Sequence, residues 1–254
     1  MKKLQELNSG LSFAKKIALI GGGSVNNTDP SDLSTPPKSW YDSSLVDYKT
    51  QGAQEYLTFN GSAVSQWDDR SGNTNHVDQT VEADQPASTS TVPNGLRVVE
   101  FASTQLLVPQ GAWTLTQPFQ YFMAVQWDDA PNIQRYNIID NAGTRGLIGV
   151  QQTNRKYILY SGATLANAGA IGFNWSLLEC LFNGASSEIV EDGVSVASGN
   201  AGSQNVSGGL NIGGNGTNYF TGRIGELICL DYEADGDDTS LLNTYLSEKW
   251  GITI

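Results

Sequence analysis

The stretch Phe119–Trp127, which reads FQYFMAVQW, decides the fold class of this chain. Aromatic and β-branched side chains dominate it, and neither glycine nor proline interrupts it. Such a composition favours a β-strand, because these side chains pack well on a pleated surface. The rest of the chain must therefore supply strands to pair with it.

Short strands follow this stretch at close intervals. The sequence predicts them at Tyr136–Ile139, Gly146–Val150 and Lys156–Tyr160, with Asn-Ala-Gly and Gln-Thr-Asn turns between them. The intervals are too short for a helical crossover, so they predict antiparallel meanders rather than βαβ units.

A two-residue hairpin is predicted further along the chain. Ser187–Glu191 and Val194–Ala197 flank Asp192-Gly193, a pair that tolerates the positive φ angles of such a turn. Further strands are predicted at Leu96–Phe101, Leu210–Gly214 and Gly222–Leu230.

One helix is predicted, at Thr239–Trp250. Large side chains recur there at three- and four-residue spacing, at Leu242, Tyr245, Leu246 and Lys249. Asp238, Thr239 or Ser240 can cap the start, and Gly251 ends the helix.

Charge and hydropathy restrict the partners. The formal net charge of −12 makes an extended phosphate-binding surface unfavourable, so no nucleic-acid partner is predicted. No run approaches the roughly 20 apolar residues of a membrane-spanning helix, so no span is predicted.

Residues 1–39 differ from the rest and are predicted to form an N-terminal arm ahead of a domain at residues 40–254. Four lysines precede Ile17–Ile20, an apolar run too short for the core of a secretory signal. A stretch rich in Gly, Ser, Asn and Pro follows. The arm is interpreted either as a tether that docks onto another subunit or as a disordered leader.

Three stretches carry a resemblance to a known fold family: Val64–His76 (VSQWDDRSGNTNH), Glu191–Val194 with Leu210–Gly214, and Tyr219–Leu227 with Lys249–Ile252. From Trp40 onward the chain resembles the laminin-G-like, concanavalin A-like jelly roll. The resemblance implies an all-β, antiparallel jelly-roll sandwich with an extended N-terminal arm and one short C-terminal helix. Domains of this type are frequent in bacteriophage virion proteins and bacterial surface proteins, but the fold hosts many functions.

Exposed aromatic side chains beside amides and carboxylates would suit a sugar ligand. The candidates for such a platform are Trp113, Trp127, Tyr136, Tyr160 and Tyr219. Aromatic residues of a sandwich also build its core, so the sequence leaves both interpretations open.

No cofactor is predicted, with a calcium ion as the alternative in one loop. The hard oxygen ligands that could form this metal site are Asp68, Asp69, Asn73 and Asn75. The same residues suit a loop whose side chains cap their own backbone.

The sequence predicts that the protein is not an enzyme. Glu188 and Glu191 are three positions apart, so on a strand they point to opposite faces. His76 is the single histidine, which leaves a Ser-His-Asp triad or a multi-histidine metal centre incomplete. Cys180 and Cys229 lie in apolar runs and are interpreted as buried thiols, or as a disulfide if their strands are neighbours.

Three functions are compared on this basis. The first is a non-catalytic virion structural or surface-display protein, such as a capsid decoration, head fibre or tail component. Residues 1–39 would attach it to other virion proteins in a symmetric assembly, with host glycans as further partners on the virion surface. The second is a lectin-like, carbohydrate-binding module of a bacterial surface protein, located extracellularly. The third is a polysaccharide hydrolase.

Overall fold

The computed structural model describes residues 28–45, 47–50, 53–89, 93–102, 104–128, 135–151, 155–167 and 169–254. The strands described there are β1 Ser39–Asp42, β2 Leu57–Asn60, β3 Ala63–Trp67, β4 Val77–Asp78, β5 Ala87–Thr89, β6 Val98–Phe101, β7 Val108–Pro109, β8 Phe119–Trp127, β9 Arg135–Asn141, β10 Leu147–Gln151, β11 Lys156–Tyr160, β12 Thr164–Ala166, β13 Ser176–Phe182, β14 Ser187–Glu191, β15 Val194–Gly199, β16 Leu210–Ile212 and β17 Gly222–Leu230. Helix α1 spans Gly236–Trp250, and short 3-10 turns lie at Pro30–Asp32, Glu82–Asp84, Pro93–Gly95 and Gly184–Ser186.

Two antiparallel sheets face each other. The larger sheet has the order β15-β14-β13-β8-β17-β6-β5-β3-β4-β7, with β1 paired to β17 and β2 paired to β3. The smaller sheet has the order β12-β11-β10-β9-β16. The prediction of an all-β antiparallel sandwich with one C-terminal helix is confirmed.

Strand β8 lies inside the larger sheet and is buried on both faces. Phe119, Tyr121 and Met123 point into the core between the sheets, here called the inter-sheet core. Phe122 and Ala124 point the other way, into a second core that α1 covers, here called the helix-side core. Because both faces are buried, the sequence of β8 is apolar almost throughout rather than alternating.

Helix α1 begins at Gly236, earlier than the predicted Thr239. The side chain of Asp235 accepts hydrogen bonds from the backbone N–H groups of Asp237 (3.0 Å) and Asp238 (2.9 Å), so Asp235 is the N-cap. Gly251 ends the helix with φ +66°, as predicted.

The described part of the predicted arm, residues 28–38, lies against the domain. Leu33 is buried in the helix-side core, and the Ser34 hydroxyl donates to Asp238 Oδ2 at 2.8 Å. Tyr232 donates to the carbonyl of Thr35 at 2.9 Å. Residues 1–27, which carry the lysines of the predicted tether, lie outside the described residues.

The two cysteines are free and buried, which confirms their interpretation as thiols. Cys180 on β13 and Cys229 on β17 are both in register with Tyr121 of β8, from opposite sides. Two strand spacings of about 4.8 Å separate them, which is beyond disulfide reach. No helix in the described part of the chain is long and apolar enough to cross a membrane.

Candidate functional site

The hairpin of β2 and β3 forms two surface clefts, here called the turn clefts. Asn60 and Ala63 are in register, so Gly61 and Ser62 form a two-residue turn, and Gly61 has φ +63°. A positive φ is unstrained for glycine, which lets the chain reverse tightly at this point. Both clefts include the two turn residues.

The first turn cleft has a volume of about 460 Å³ and contains an arginine above an aromatic ring. Its lining residues are Glu55, Phe59, Gly61, Ser62, Ser88, Thr89 and Arg97. The guanidinium carbon of Arg97 lies 5.1 Å from the centroid of the Phe59 ring. Arg97 Nη1 also lies 3.9 Å from Glu55 Oε1, so a charged pair borders the aromatic face.

The second turn cleft, of about 430 Å³, is rich in amides. Its lining residues are Asn60, Gly61, Ser62, Ala63, Glu82, Ala83, Gln85, Ala87 and Gln105. Gln85 is only 4% exposed, and its Nε2 donates to the carbonyl of Gln79 at 2.7 Å. Its Oε1 is buried and has no hydrogen-bond partner among the residues that the structure describes, so Gln85 forms the floor of the cleft rather than a contact for a ligand.

A third cavity, the acidic groove, lies between the larger sheet and α1. It has a volume of about 310 Å³ and is lined by Gln120, Glu179, Leu181, Glu188, Val190, Gly193, Glu233, Ala234, Thr239 and Asn243. Asn243 Nδ2 donates to Glu179 Oε1 at 2.8 Å. Burial raises the pKa of Glu179 against the opposing effect of Asn243, and the charge of Glu188 raises it further.

A fourth polar cluster is sealed beneath α1, and it is here called the sealed network. Asp42 on β1 is in register with Glu226 on β17, and both side chains are fully buried. Lys249 Nζ lies 2.9 Å from Asp42 Oδ2 and 2.7 Å from Glu226 Oε2, and Arg70 pairs with Asp42. Glu226 also accepts hydrogen bonds from Trp40 Nε1 (2.6 Å), the Tyr245 hydroxyl (2.7 Å) and Trp250 Nε1 (3.0 Å).

The acidic groups of the sealed network lie beside buried cations. Two carboxylates meet there, but each is held by a buried cation. Burial and the charge of Asp42 raise the pKa of Glu226, while Lys249 opposes them. This arrangement fastens α1 to the sheet, since Lys249, Tyr245 and Trp250 all belong to the helix.

The structure places the five predicted aromatic residues away from the turn clefts. Trp113, Trp127 and Tyr136 are buried in the inter-sheet core and present no face for a sugar. Tyr160 and Tyr219 are half-buried. The Tyr160 ring lies 5.7 Å from the guanidinium carbon of Arg145, and the Tyr219 hydroxyl donates to the carbonyl of Gly216 at 2.9 Å.

The predicted calcium loop uses its polar groups internally. Asp69 accepts hydrogen bonds from Trp40 N (2.9 Å), Ser71 N (2.9 Å), Ser71 Oγ (2.8 Å) and Asn75 N (2.9 Å). Asn73 Nδ2 donates to Pro37 O and Asn75 Nδ2 donates to Lys38 O, while Asp68 accepts from Gln66 Nε2. These contacts are those of a self-capping loop that holds residues 37–40, and a calcium ion there stays a prediction.

One feature of the sequence indicates the turn at which these clefts lie. Asn60-Gly61 stands between two short apolar runs, which is a strong hairpin indication. The partners Phe59, Gln85 and Arg97 come from separate segments, and only the fold brings them to the turn.

These features define a class: a two-sheet antiparallel, jelly-roll-like sandwich with clefts at one end of its larger sheet. Solved structures share that fold. Trypanosoma rangeli sialidase in complex with the inhibitor DANA matches with a TM-score of 0.54 and 12% identity, over 99% of this chain and 40% of the sialidase. A second structure of Trypanosoma rangeli sialidase matches with a TM-score of 0.51 and 13% identity, over 98% of this chain and 39% of that one. The chain thus spans about two fifths of the sialidases it matches.

A smaller protein matches over nearly its whole length. It is domain 4 of AbnA, a GH43 extracellular arabinanase from Geobacillus stearothermophilus, in complex with arabinotriose. The TM-score is 0.52 and the identity 13%, over 69% of this chain and 92% of that domain. No protein-family model and no curated protein sequence matches the chain.

The prediction that the protein is not an enzyme is contradicted by these comparisons. The structures similar to it include sialidases, which are enzymes, so this fold gives no ground for excluding catalysis. At 10–13% identity the similarity concerns the fold and assigns no chemical step to any residue of this chain.

Proposed function

We propose that this protein binds carbohydrate through the turn clefts. The observation that carries the proposal is the joint presence, around one turn, of an aromatic–arginine pair and a cleft lined by amide side chains. Sugars present hydroxyl groups that need planar polar partners, and C–H faces that pack on aromatic rings. The half-buried Phe59, with Arg97 over its ring, supplies apolar surface, and Arg97 and the exposed amide of Asn60 supply the polar partners.

The size of the clefts and the fold both support this proposal. Each turn cleft falls within the roughly 300–1,000 Å³ of ordinary ligand sites. Because the two clefts share Gly61 and Ser62, a ligand of more than one sugar unit could contact both. The similar arabinanase domain was solved with arabinotriose, which makes short oligosaccharides the first ligands to try.

The test is a glycan array followed by calorimetry with the best ligand. We expect Phe59→Ala and Arg97→Ala each to weaken binding about tenfold, which corresponds to about 1.4 kcal/mol. The matched control is Arg155→Ala. Arg155 also lies over a phenylalanine, with its guanidinium carbon 5.5 Å from the Phe173 ring, but it lies outside the clefts.

Two results would contradict the proposal that the turn clefts bind carbohydrate. One is the absence of binding to any glycan on the array. The other is a ligand whose affinity falls in Arg155→Ala and stays unchanged in both cleft variants, since the sugar would then bind elsewhere.

Glycoside hydrolysis in the acidic groove is a second candidate. Its motivation is the convergence of three carboxyl groups, one of which has a raised pKa, as a general acid requires. Incubation with a polysaccharide panel should then release reducing ends, and Glu179→Gln should abolish the release. Glu191→Gln is the control, because Glu191 is a partly buried carboxyl group that does not line the groove. Release that survives Glu179→Gln would reject this site.

Display on a virion or cell surface remains a proposal from the sequence alone. It is motivated by the lysine-bearing segment that precedes the domain, and carbohydrate binding would suit such a location. Truncation of residues 1–27 should prevent incorporation into a particle while the domain still folds. Normal incorporation of the truncated chain would count against it.

A further inference from the structure

Three polar side chains share the outward face of the smaller sheet, and they are here called the oxygen triad: Asn137, Asp140 and Asn211. Ile139 and Ile148 are in register, and both point into the inter-sheet core. Asp140, the next residue on β9, therefore points outward. Asn211 is in register with Asp140 and must share its face, and an Asn137 contact with Asp140 places that residue there as well.

Each member of the oxygen triad has a buried Oδ1 atom that finds no hydrogen-bond partner among the described residues. Asn137 and Asp140 are fully buried, and Asn211 is only 8% exposed. By contrast, the other carboxylate oxygen of Asp140 accepts four hydrogen bonds. Its Oδ2 accepts from Arg145 Nη2 (2.8 Å), Arg145 Nε (3.0 Å), Asn215 Nδ2 (3.1 Å) and Asn137 Nδ2 (3.3 Å).

The orientation of the Asn137 amide follows from these contacts. Its Nδ2 faces the carboxylate of Asp140, and a flip would place two acceptor oxygens against each other. Directly opposed residues on one face of an antiparallel pair have Cβ atoms about 4.5–5.5 Å apart, so Asn211 is an immediate neighbour of Asp140. Three neighbouring acceptors therefore lack a donor among the described residues, and either a cation or a hydrogen-bond donor from outside would complement them.

We propose that the oxygen triad binds a calcium ion. One carboxylate oxygen and two amide carbonyl oxygens are ligands that calcium prefers, and backbone carbonyls or water can complete its shell of six to eight oxygens. Arg145 offsets the single negative charge of Asp140, so the affinity should be weak, with a Kd on the order of 10⁻⁴–10⁻³ M.

This site is independent of carbohydrate binding in the turn clefts. It also differs from the loop that the sequence indicated. There the Asp69 carboxylate has four donors, and the Asn73 and Asn75 amides point their N–H groups at backbone carbonyls. The two places also differ in burial, since Asn73 is exposed and Asn75 is half-buried, whereas all three members of the oxygen triad are buried.

The experiment uses the full chain after removal of metals with a chelator. Calcium chloride is titrated by calorimetry, and thermal unfolding is followed with and without calcium. We expect one saturable site and a higher Tm with calcium. Asn211→Ala should weaken calcium binding at least about tenfold, and Asn75→Ala, in the other loop, should leave it unchanged.

Asn211→Asp keeps the test decisive if Asn211→Ala folds poorly. It adds a charged ligand in nearly the same shape, so it should bind calcium more tightly than the parent chain, a gain that misfolding does not produce. Three results would overturn the proposal: no saturable binding at about ten times the expected Kd, binding lost in Asn75→Ala but kept in Asn211→Ala, or a folded Asn211→Asp with no gain. If no saturable binding is found, ordered water rather than calcium is the partner of the three Oδ1 atoms.

Discussion

The sealed network and the oxygen triad are both buried but differ in how their atoms are paired. In the sealed network, both oxygens of Glu226 have partners from Lys249, Tyr245 and two tryptophans. In the oxygen triad, Asp140 Oδ2 accepts several hydrogen bonds, and the three Oδ1 atoms have no hydrogen-bond partner in the described part of the chain.

The difference distinguishes a structural cluster from a candidate binding site. Burying a polar group is unfavourable unless a partner replaces the lost water. The sealed network meets that requirement within the protein, so it has no need of a ligand. The oxygen triad does not meet it, so its missing partner is to be sought outside the chain. Four substitutions test this distinction.

The largest effect is expected for Glu226→Ala. It removes the acceptor of four buried donors and leaves Lys249 without one of its carboxylates, which should destabilise the protein by about 3–5 kcal/mol. Urea unfolding measures the change. Glu226→Gln keeps the shape and an acceptor oxygen and should cost less. If Glu226→Ala costs under about 1 kcal/mol, the network does not fasten α1 to the sheet.

Lys249→Met should make stability depend on pH. Without the ammonium group, the Asp42 and Glu226 carboxylates repel each other, and the pKa of Glu226, already raised by burial and Asp42, should rise further. An acid whose pKa is raised by folding contributes stability at low pH and loses it as pH rises through that pKa. The variant should therefore unfold at lower urea concentration near pH 7 than near pH 5, with a steeper dependence than the parent chain.

Asp140→Asn should change the pH dependence of stability less than Lys249→Met does, and in the opposite direction. Burial raises the pKa of Asp140 against the effect of Arg145, so its ionisation weakens the fold as pH rises above the ordinary value of 3.8. The amide cannot ionise, so the variant should show a flatter stability curve between about pH 4 and pH 7 in calcium-free buffer. An unchanged slope would contradict this role for Asp140.

Asn211→Ala should have the smallest effect on stability in calcium-free buffer. It deletes an oxygen that has no hydrogen-bond partner within the described ranges, so the free energy of unfolding should change by no more than about 1 kcal/mol. A loss as large as that of Glu226→Ala would mean that Asn211 acts as part of the packing. The two clusters would then not differ in the way proposed.

The local elements were largely predictable from sequence. The bounds of β8, β11, β14 and β17 match the prediction, since aromatic and β-branched runs between turn residues favour strands in almost any context. The turn Asp192-Gly193 also formed as predicted, with φ +51° and +75°. The start of α1 differed, because Asp235 rather than a later residue caps it.

The candidate sites were less predictable, because a side chain's chemistry does not reveal its exposure. Trp127 and Tyr136 have the composition of a sugar platform, yet they pack against each other in the inter-sheet core with ring centroids 5.9 Å apart. The pairing of Arg97 with Phe59 could not be predicted from the sequence, because the two residues belong to segments that are distant along the chain.

By itself, the sequence determined the class of fold: an antiparallel sandwich closed by a helix, since strand propensity, turn residues and helix periodicity are local properties. Only the tertiary structure decided which polar groups are paired. Asp42 and Glu226 meet through the pairing of β1 with β17, and Asp140 and Asn211 meet through the pairing of β9 with β16. Long-range pairing decides whether a buried oxygen finds a donor in the chain or is left to bind one from outside.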